Sequence, residues 1–277
     1  MSEHIKAGVI GHPIKHSKSP LIHNYWIEKY GFDGDYGTID IAPENLKDGI
    51  SQLIDVGYAG FNVTIPHKES IIEYCDEVSH NAQVIGAVNT VTIQDGKLHG
   101  QNTDGFGFIH NILGNTADFE FSGKRAVVLG AGGATRAIAS ALIGEEIEQI
   151  ILLNRTRERA EKLASDIAFV SDLIVVEDWD NRSSVLEGID LLVNATSLGM
   201  DGQAALDIDL AALPDTALVN DIVYAPLQTQ LLKDASSRGL QTVTGIGMLI
   251  HQARPAFKSW FGLLPDVTDE LNEKVLA

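Results

Sequence analysis

Over the first hundred residues, short apolar runs alternate with apolar residues spaced for a helix, a pattern that predicts successive βα units. Residues 7–10 read as a strand. Ser19 and Pro20 then supply an N-cap and first-turn pair, and Leu21, Ile22, Tyr25, Trp26 and Tyr30 recur at helical spacing as far as Gly31. A second unit runs from a strand over 36–41 into a helix with Leu46, Ile50, Leu53 and Ile54 inward, closing at Gly57. A third strand over 60–63 breaks at Pro66. Residues 87–93 and 97–100 flank Asp95-Gly96, a pair that tolerates positive φ and so predicts a hairpin.

The texture changes after a helix predicted over 106–113 and a polar stretch over 115–124. Beyond Gly123, residues 126–129, 149–153, 173–176, 191–194 and 218–222 form buried-type strands separated by helix-length segments, as a doubly wound parallel sheet requires. A last helix over 248–261 is expected to fold back on the first domain. The fold class is therefore α/β in two domains. Residues 1–107 with 246–277 form an N-terminal α/β domain completed by the C-terminal helices, and residues 108–245 form the doubly wound domain. A length of 277 residues suits two domains of ordinary size.

Charge narrows the partners. With 20 Lys and Arg against 38 Asp and Glu, the net charge of -18 repels nucleic acid and anionic membrane surfaces, so neither is expected to bind. An anionic ligand must be held by a local basic cluster. Cys75 is the only cysteine, which excludes an intramolecular disulfide and a cysteine-based zinc site and fits a reducing compartment. The first ten residues lack a basic patch followed by an apolar run, and no segment approaches the roughly 20 apolar residues of a membrane helix. A cytoplasmic, unanchored protein is expected. The histidines and the three tryptophans show no metal-ligand spacing, and no metal is expected.

The strand over 126–129 runs into Gly130, Ala131, Gly132, Gly133, Ala134, Thr135 and Arg136, followed by the small residues Ala137, Ala139 and Ala141. A tight glycine turn at a helix N-terminus lets backbone N–H groups and the helix dipole meet a pyrophosphate. The glycines alone serve equally well as a βα turn without ligand, and Thr135 departs from the usual small third position. The end of the next strand decides between these readings. Where an NAD site offers an acidic residue to the ribose, this chain has Asn154, Arg155, Thr156, Arg157, Glu158 and Arg159. Arg155 and Arg159 can pair with a 2'-phosphate, so the cofactor expected of this Rossmann-type domain is NADP.

Four polar clusters of the first domain fall at strand ends or loops: residues 11–20, 62–68, 86–90 and 100–105. Taken singly, Ser19 is an ordinary cap, Lys68 a solvated charge, and the asparagines turn residues. Taken together, GHPIKHSKSPLIHN, NVTIPHK, GAVNT and GQNTDG resemble the signature blocks of the shikimate dehydrogenase family. The likeness continues in order through GAGGATRA, NRT, NATSLGM, DIVYAPLQTQLL and GIGMLIHQ, over nearly the whole chain.

That resemblance implies reversible reduction of 3-dehydroshikimate to shikimate by NADPH in aromatic amino acid biosynthesis, by a monomer or homodimer. It implies Lys68 and Asp104 as the catalytic pair, and Ser17 and Ser19, helped by Tyr224, on the substrate carboxylate. Thr64, Asn89 and Gln252 fall to the ring hydroxyls, alongside Lys68 and Asp104 themselves. Gly130 to Ala134, Asn154, Arg155, Thr156 and Arg159 fall to the cofactor, with Ile222, Gly245 and Met248 near the nicotinamide. One position departs from the family, since His80 stands where an acidic residue is frequent, with Glu77 a turn away. The lysine chemistry is sound on its own terms: an ammonium polarises a ketone, stabilises charge developing on its oxygen and delivers the proton. Two rivals stay open here, a quinate/shikimate dehydrogenase using NAD or NADP and a non-catalytic NADP-binding sensor. A closing motion of the two domains is expected from a site divided between them, with Gly105, Gly107 and Gly245 near the crossings.

Overall fold

Short apolar runs punctuated by glycine and proline give the first part of the chain the order β1 (Ile5–Gly11), α1 (Ser19–Tyr30), β2 (Gly34–Asp40), α2 (Leu46–Val56), β3 (Tyr58–Val63), β4 (Glu77–Val78), α3 (His80–Ile85), β5 (Thr90–Gln94) and β6 (Lys97–Gln101). After these come α4 (Asp104–Asn115), β7 (Arg125–Leu129), α5 (Gly133–Gly144), β8 (Gln149–Leu153), α6 (Arg157–Ile167), β9 (Ile174–Glu177), β10 (Leu191–Asn194), β11 (Leu218–Asp221), α7 (Gln230–Ser237), β12 (Gln241–Val243), α8 (Ile246–Phe261) and α9 (Asp269–Leu276). The computed structural model describes residues 4–15, 17–167 and 172–276. His16 of the first polar cluster lies outside the described residues. The chain forms two units, one running to Thr103 and resuming at Ile250, the other Asp104–Leu249.

The first unit is built on a mixed sheet in the order β2-β1-β3-β5-β6-β4. β1 pairs in parallel with β2 and β3, while β5 runs antiparallel to both β3 and β6. Gly31 and Gly57, both in the left-handed region, close α1 and α2 where the apolar pattern ends. The predicted hairpin is present: Asp95 and Gly96 have φ of 53° and 74°, and Gln94 pairs with Lys97 across the turn. Ile10, Leu46, Ile50, Phe61, Val63 and Val91 lie in the core on one side of this sheet.

The segment from Ile250 onward belongs to this unit. Trp260 donates its indole N–H to the Val91 carbonyl at 3.1 Å, and Trp26 donates to the Asp266 carbonyl at 3.0 Å. Phe257 stacks on Phe261 and meets Trp26 edge-on. Gly60 makes room for the indole, since a Cβ there would overlap Trp260 Nε1 and the Val91 carbonyl.

The second unit is a wholly parallel sheet in the order β12-β11-β10-β7-β8-β9. Val127, Leu129, Leu153, Leu192, Val219 and Leu232 are buried in its core. It has one strand more than the apolar runs predict, because β12 is a three-residue edge strand with a single buried side chain, Val243. The two-residue β4 escapes the pattern for the same reason.

One expectation about a small residue is corrected. Ser19 is not the N-cap of α1 but its first helical residue, the cap being Lys18 with no side-chain hydrogen bond. The Ser19 amide instead points to Ser17 Oγ at 3.3 Å, leaving the Ser19 hydroxyl out of capping. Gly105 and Gly245 are closely packed. A Cβ on Gly105 would stand 2.9 Å from both the Ala137 carbonyl oxygen and Ala141 Cβ, and one on Gly245 would overlap the Ile222 carbonyl. Neither has a positive φ.

Candidate active site

Sheet order brings the four polar clusters of the first unit to one edge. β1 and β3 run in parallel, so the loops after Gly11 and Val63 leave from the same end. β5 is antiparallel to β3 and pairs Thr90 with Asn62, so its start, preceded by Asn89, lies there too. β6 reverses again, pairing Gln101 with Thr90, which brings Asn102 and Thr103 to that edge. Ligands of open α/β sheets bind at such strand ends.

The side chains at this edge are joined by hydrogen bonds. Asn89, 2% exposed, accepts the Thr103 amide at 2.9 Å and the Thr90 hydroxyl at 3.0 Å through Oδ1. Thr103 Oγ1 donates to Gln252 Oε1 at 3.4 Å. The Lys68 carbonyl accepts the Val88 amide at 2.8 Å, tying the lysine loop to the segment before Asn89. Thr64 stands against Gly11, where a Cβ would lie 2.6 Å from Thr64 Cγ2. Lys68, Thr64, Ser17 and Gln252 are half-buried and form the rim of this edge.

Behind this rim is a buried network that sequence reasoning left without a role. Tyr36 Oη donates to Asn62 Oδ1 at 2.7 Å, and Asn62 Nδ2 donates to the Asn89 carbonyl at 3.1 Å and to Thr90 Oγ1 at 3.0 Å. Burial pushes the Tyr36 phenol well above its ordinary pKa, opposed by a hydrogen bond with the Ser19 side chain. His23 stacks on Tyr36 with ring centroids 4.1 Å apart and planes at 4°. A signal was available in the sequence, a polar Asn62 in an otherwise apolar strand.

In the second unit the glycine turn lies between β7 and α5. Gly130, at φ 110°, packs so closely that a Cβ would stand 2.8 Å from the Ala195 carbonyl. Thr135 is fully buried, and its hydroxyl accepts the Gly132 amide at 3.3 Å, which accounts for threonine at the third motif position. Space beside Gly132 and Gly133 is open where each Cβ would stand, so the start of α5 has room for a ligand against its backbone. After β8, Arg157 is held by Glu161 and Asp178, each at 2.7 Å. Arg155 and Arg159 have no ion-pair partner among the described residues, and Asn154 Nδ2 donates to the Thr156 carbonyl at 2.8 Å. The open turn and the two uncommitted guanidinium groups fit a phosphorylated dinucleotide.

Past β11, Asp221 accepts from the Asn194 amide at 3.0 Å, the Thr229 hydroxyl at 2.7 Å and the Val223 amide at 3.0 Å. Burial raises its pKa against those three bonds. This arrangement anchors the segment that carries Ile222 and the exposed Tyr224. Asp104 opens α4, and Gly245 and Met248 flank the start of α8.

Residues 9–91 match the shikimate dehydrogenase substrate binding domain family, and residues 113–200 match the shikimate / quinate 5-dehydrogenase family. A shikimate dehydrogenase (NADP(+)) from Paramagnetospirillum magneticum is 49% identical over 98% of this chain and 98% of its own length. The chain belongs to the shikimate dehydrogenase family. Solved structures of the family's architecture agree with both sheets. The ligand-free 5-ketofructose reductase of Gluconobacter sp. strain CHM43 is similar at a TM-score of 0.92 and 32% identity, covering 99% of each chain. A shikimate 5-dehydrogenase from Thermus thermophilus, in complex with NADP(H) and shikimate, is similar at 0.85 and 36%, covering 98% of each. The fold is thus that of the family, a substrate domain and a Rossmann-type domain.

Proposed function

We propose that this protein catalyses the reversible NADPH-dependent reduction of 3-dehydroshikimate to shikimate, on the route to aromatic amino acids. The first unit is the substrate domain and the second the NADP domain. The observation that carries this reading is the gathering of the Ser17, Thr64, Lys68, Asn89 and Thr103 segments at one edge of the mixed sheet, within a chain 49% identical to an NADP-dependent relative over 98% of its length.

In this reading Ser17 and Ser19, with Tyr224, hold the carboxylate, and Thr64, Asn89 and Gln252 sort the ring hydroxyls. Lys68 and Asp104 are the catalytic pair. Bound NADPH supplies the hydride. Lys68 hydrogen-bonds the carbonyl oxygen, stabilises the charge that develops there and delivers its proton, while Asp104 keeps the ammonium oriented. Amides from Gly130 to Ala134 hold the pyrophosphate, Arg155 and Arg159 hold the 2'-phosphate beside Asn154 and Thr156, and Ile222, Gly245 and Met248 line the nicotinamide. The cytoplasm is the proposed compartment, and a monomer or homodimer the working form. Among the described residues, no helix is long and apolar enough to cross a membrane.

The test follows NADPH absorbance with 3-dehydroshikimate, with NADH and quinate in parallel. NADPH-specific turnover is expected, falling roughly 10²–10⁴-fold in Lys68→Ala, the range of a lost general acid. Folded protein that binds NADPH and turns over nothing would sink the enzyme reading and leave a cofactor sensor. Preference for quinate with NADH would shift the substrate instead.

A further inference from the structure

Helix α4 starts at Asp104 and is held at two points by segments that the reading above gives to the cofactor. At its first turn the missing side chain of Gly105 lets α4 lie against α5, the helix opened by the glycine turn, with Ala137 and Ala141 in the contact. Nearly two turns on, Asn111, 1% exposed, donates from Nδ2 to the Thr244 carbonyl at 2.8 Å. Its Oδ1 lies against the backbone of Gly247, where a Cβ would overlap it. Asn115 donates to that same Oδ1 at 3.2 Å and to the Asn111 carbonyl at 2.8 Å, which fixes the amide's orientation. Between Thr244 and Gly247 is Gly245, packed on the Ile222 carbonyl. One buried side chain thus joins the helix that presents Asp104 to the turn that carries Gly245.

We propose that Asn111 is a positioning residue for hydride and proton transfer, setting the register between Asp104 and the nicotinamide-side turn over residues 244–248. The inference rests on the functional reading above. Geometry is what such a residue controls, because a misplacement of about 1 Å at a reacting centre costs on the order of 10²-fold in rate. An amide suits the position: its donor satisfies the Thr244 carbonyl while its acceptor occupies space that only glycine leaves open on the facing turn.

Wild type, Asn111→Ala, Gly247→Ala and the double variant are compared for kcat, KM, NADPH affinity, and the isotope effect with NADPH deuterated at the transferred position. Each single variant is expected to lose roughly 10-fold or more in kcat, with KM for 3-dehydroshikimate within about threefold of wild type. The isotope effect rises as hydride transfer becomes more limiting. In the double variant the new methyl enters space vacated by the amide, so the losses do not add, and kcat falls no lower than in the worse single variant. Folded single variants with wild-type kcat and isotope effect, additive losses, or failure of both single variants to fold would each overturn the inference and leave Asn111 a stabilising contact. Wild-type turnover separates this failure from that of the functional reading: an inactive wild type sinks both, an active one with indifferent variants sinks only the role of Asn111.

Discussion

His23 lies flat on Tyr36 within a cage that includes Trp26, Phe257 and Trp260, and neither of its ring nitrogens has a hydrogen-bond partner among the described residues. Burial lowers its pKa from 6.5 to about 3. The folded chain therefore refuses a proton that the unfolded chain accepts below pH 6.5. Stability from this group is complete above that pH and declines as pH falls toward 3, by roughly 1.4 kcal/mol for each pH unit. Urea midpoints at pH 7.5 and 5 should show a shallower acid loss in His23→Phe than in wild type; parallel losses would mean the ring escapes its cage on protonation. At this scale the sequence was informative about chemistry and silent about support. Lys68, Asn89 and Gln252 stood out by motif, whereas Tyr36 and Asn111 make their contacts with residues distant in the chain, which no local pattern encodes.

Elements were the more legible level, because strands and helices follow from periodicity and from their glycine stops. The hairpin at Asp95-Gly96 and the parallel sheet of the second unit needed no tertiary information. Short edge strands such as β12 carry too few buried side chains to register, and glycines kept for close approach resemble glycines kept for flexibility until their neighbours are known. Gly60 tests the distinction within β3. Gly60→Ala forces the Trp260 indole away from the Val91 carbonyl, at a cost of roughly 1–3 kcal/mol. A lower melting temperature with red-shifted tryptophan emission is expected. Unchanged emission would mean that the sheet yields instead of the indole.

For the whole molecule, each unit carries its own sheet and core, so a ligand held by one should steady that one first. NADP(+) at a hundred times its Kd adds about 2.7 kcal/mol to the unit that binds it. Hydrogen exchange followed peptide by peptide should then slow in β7, β8, β10 and β11 with NADP(+) alone, and in β1, β3 and β5 with shikimate alone. The reverse pattern would exchange the roles proposed for the two units. The net charge of -18 bears on the same scale, since it leaves anion capture to local basic groups.

Because the first unit resumes only at Ile250, the order in which the ribosome delivers the chain is not the order in which its parts can close. By Leu249 every strand of the second sheet has been made. The first sheet, synthesised earlier, still waits for Phe257 and Trp260 to cover its aromatic face, for the Asp266 carbonyl that receives the Trp26 indole, and for the Val275 carbonyl that Lys18 reaches at 2.5 Å. The part begun first is finished last, so a nascent chain halted before its final helices would carry a completed second sheet and an exposed aromatic surface on the first, the kind of surface that chaperones hold.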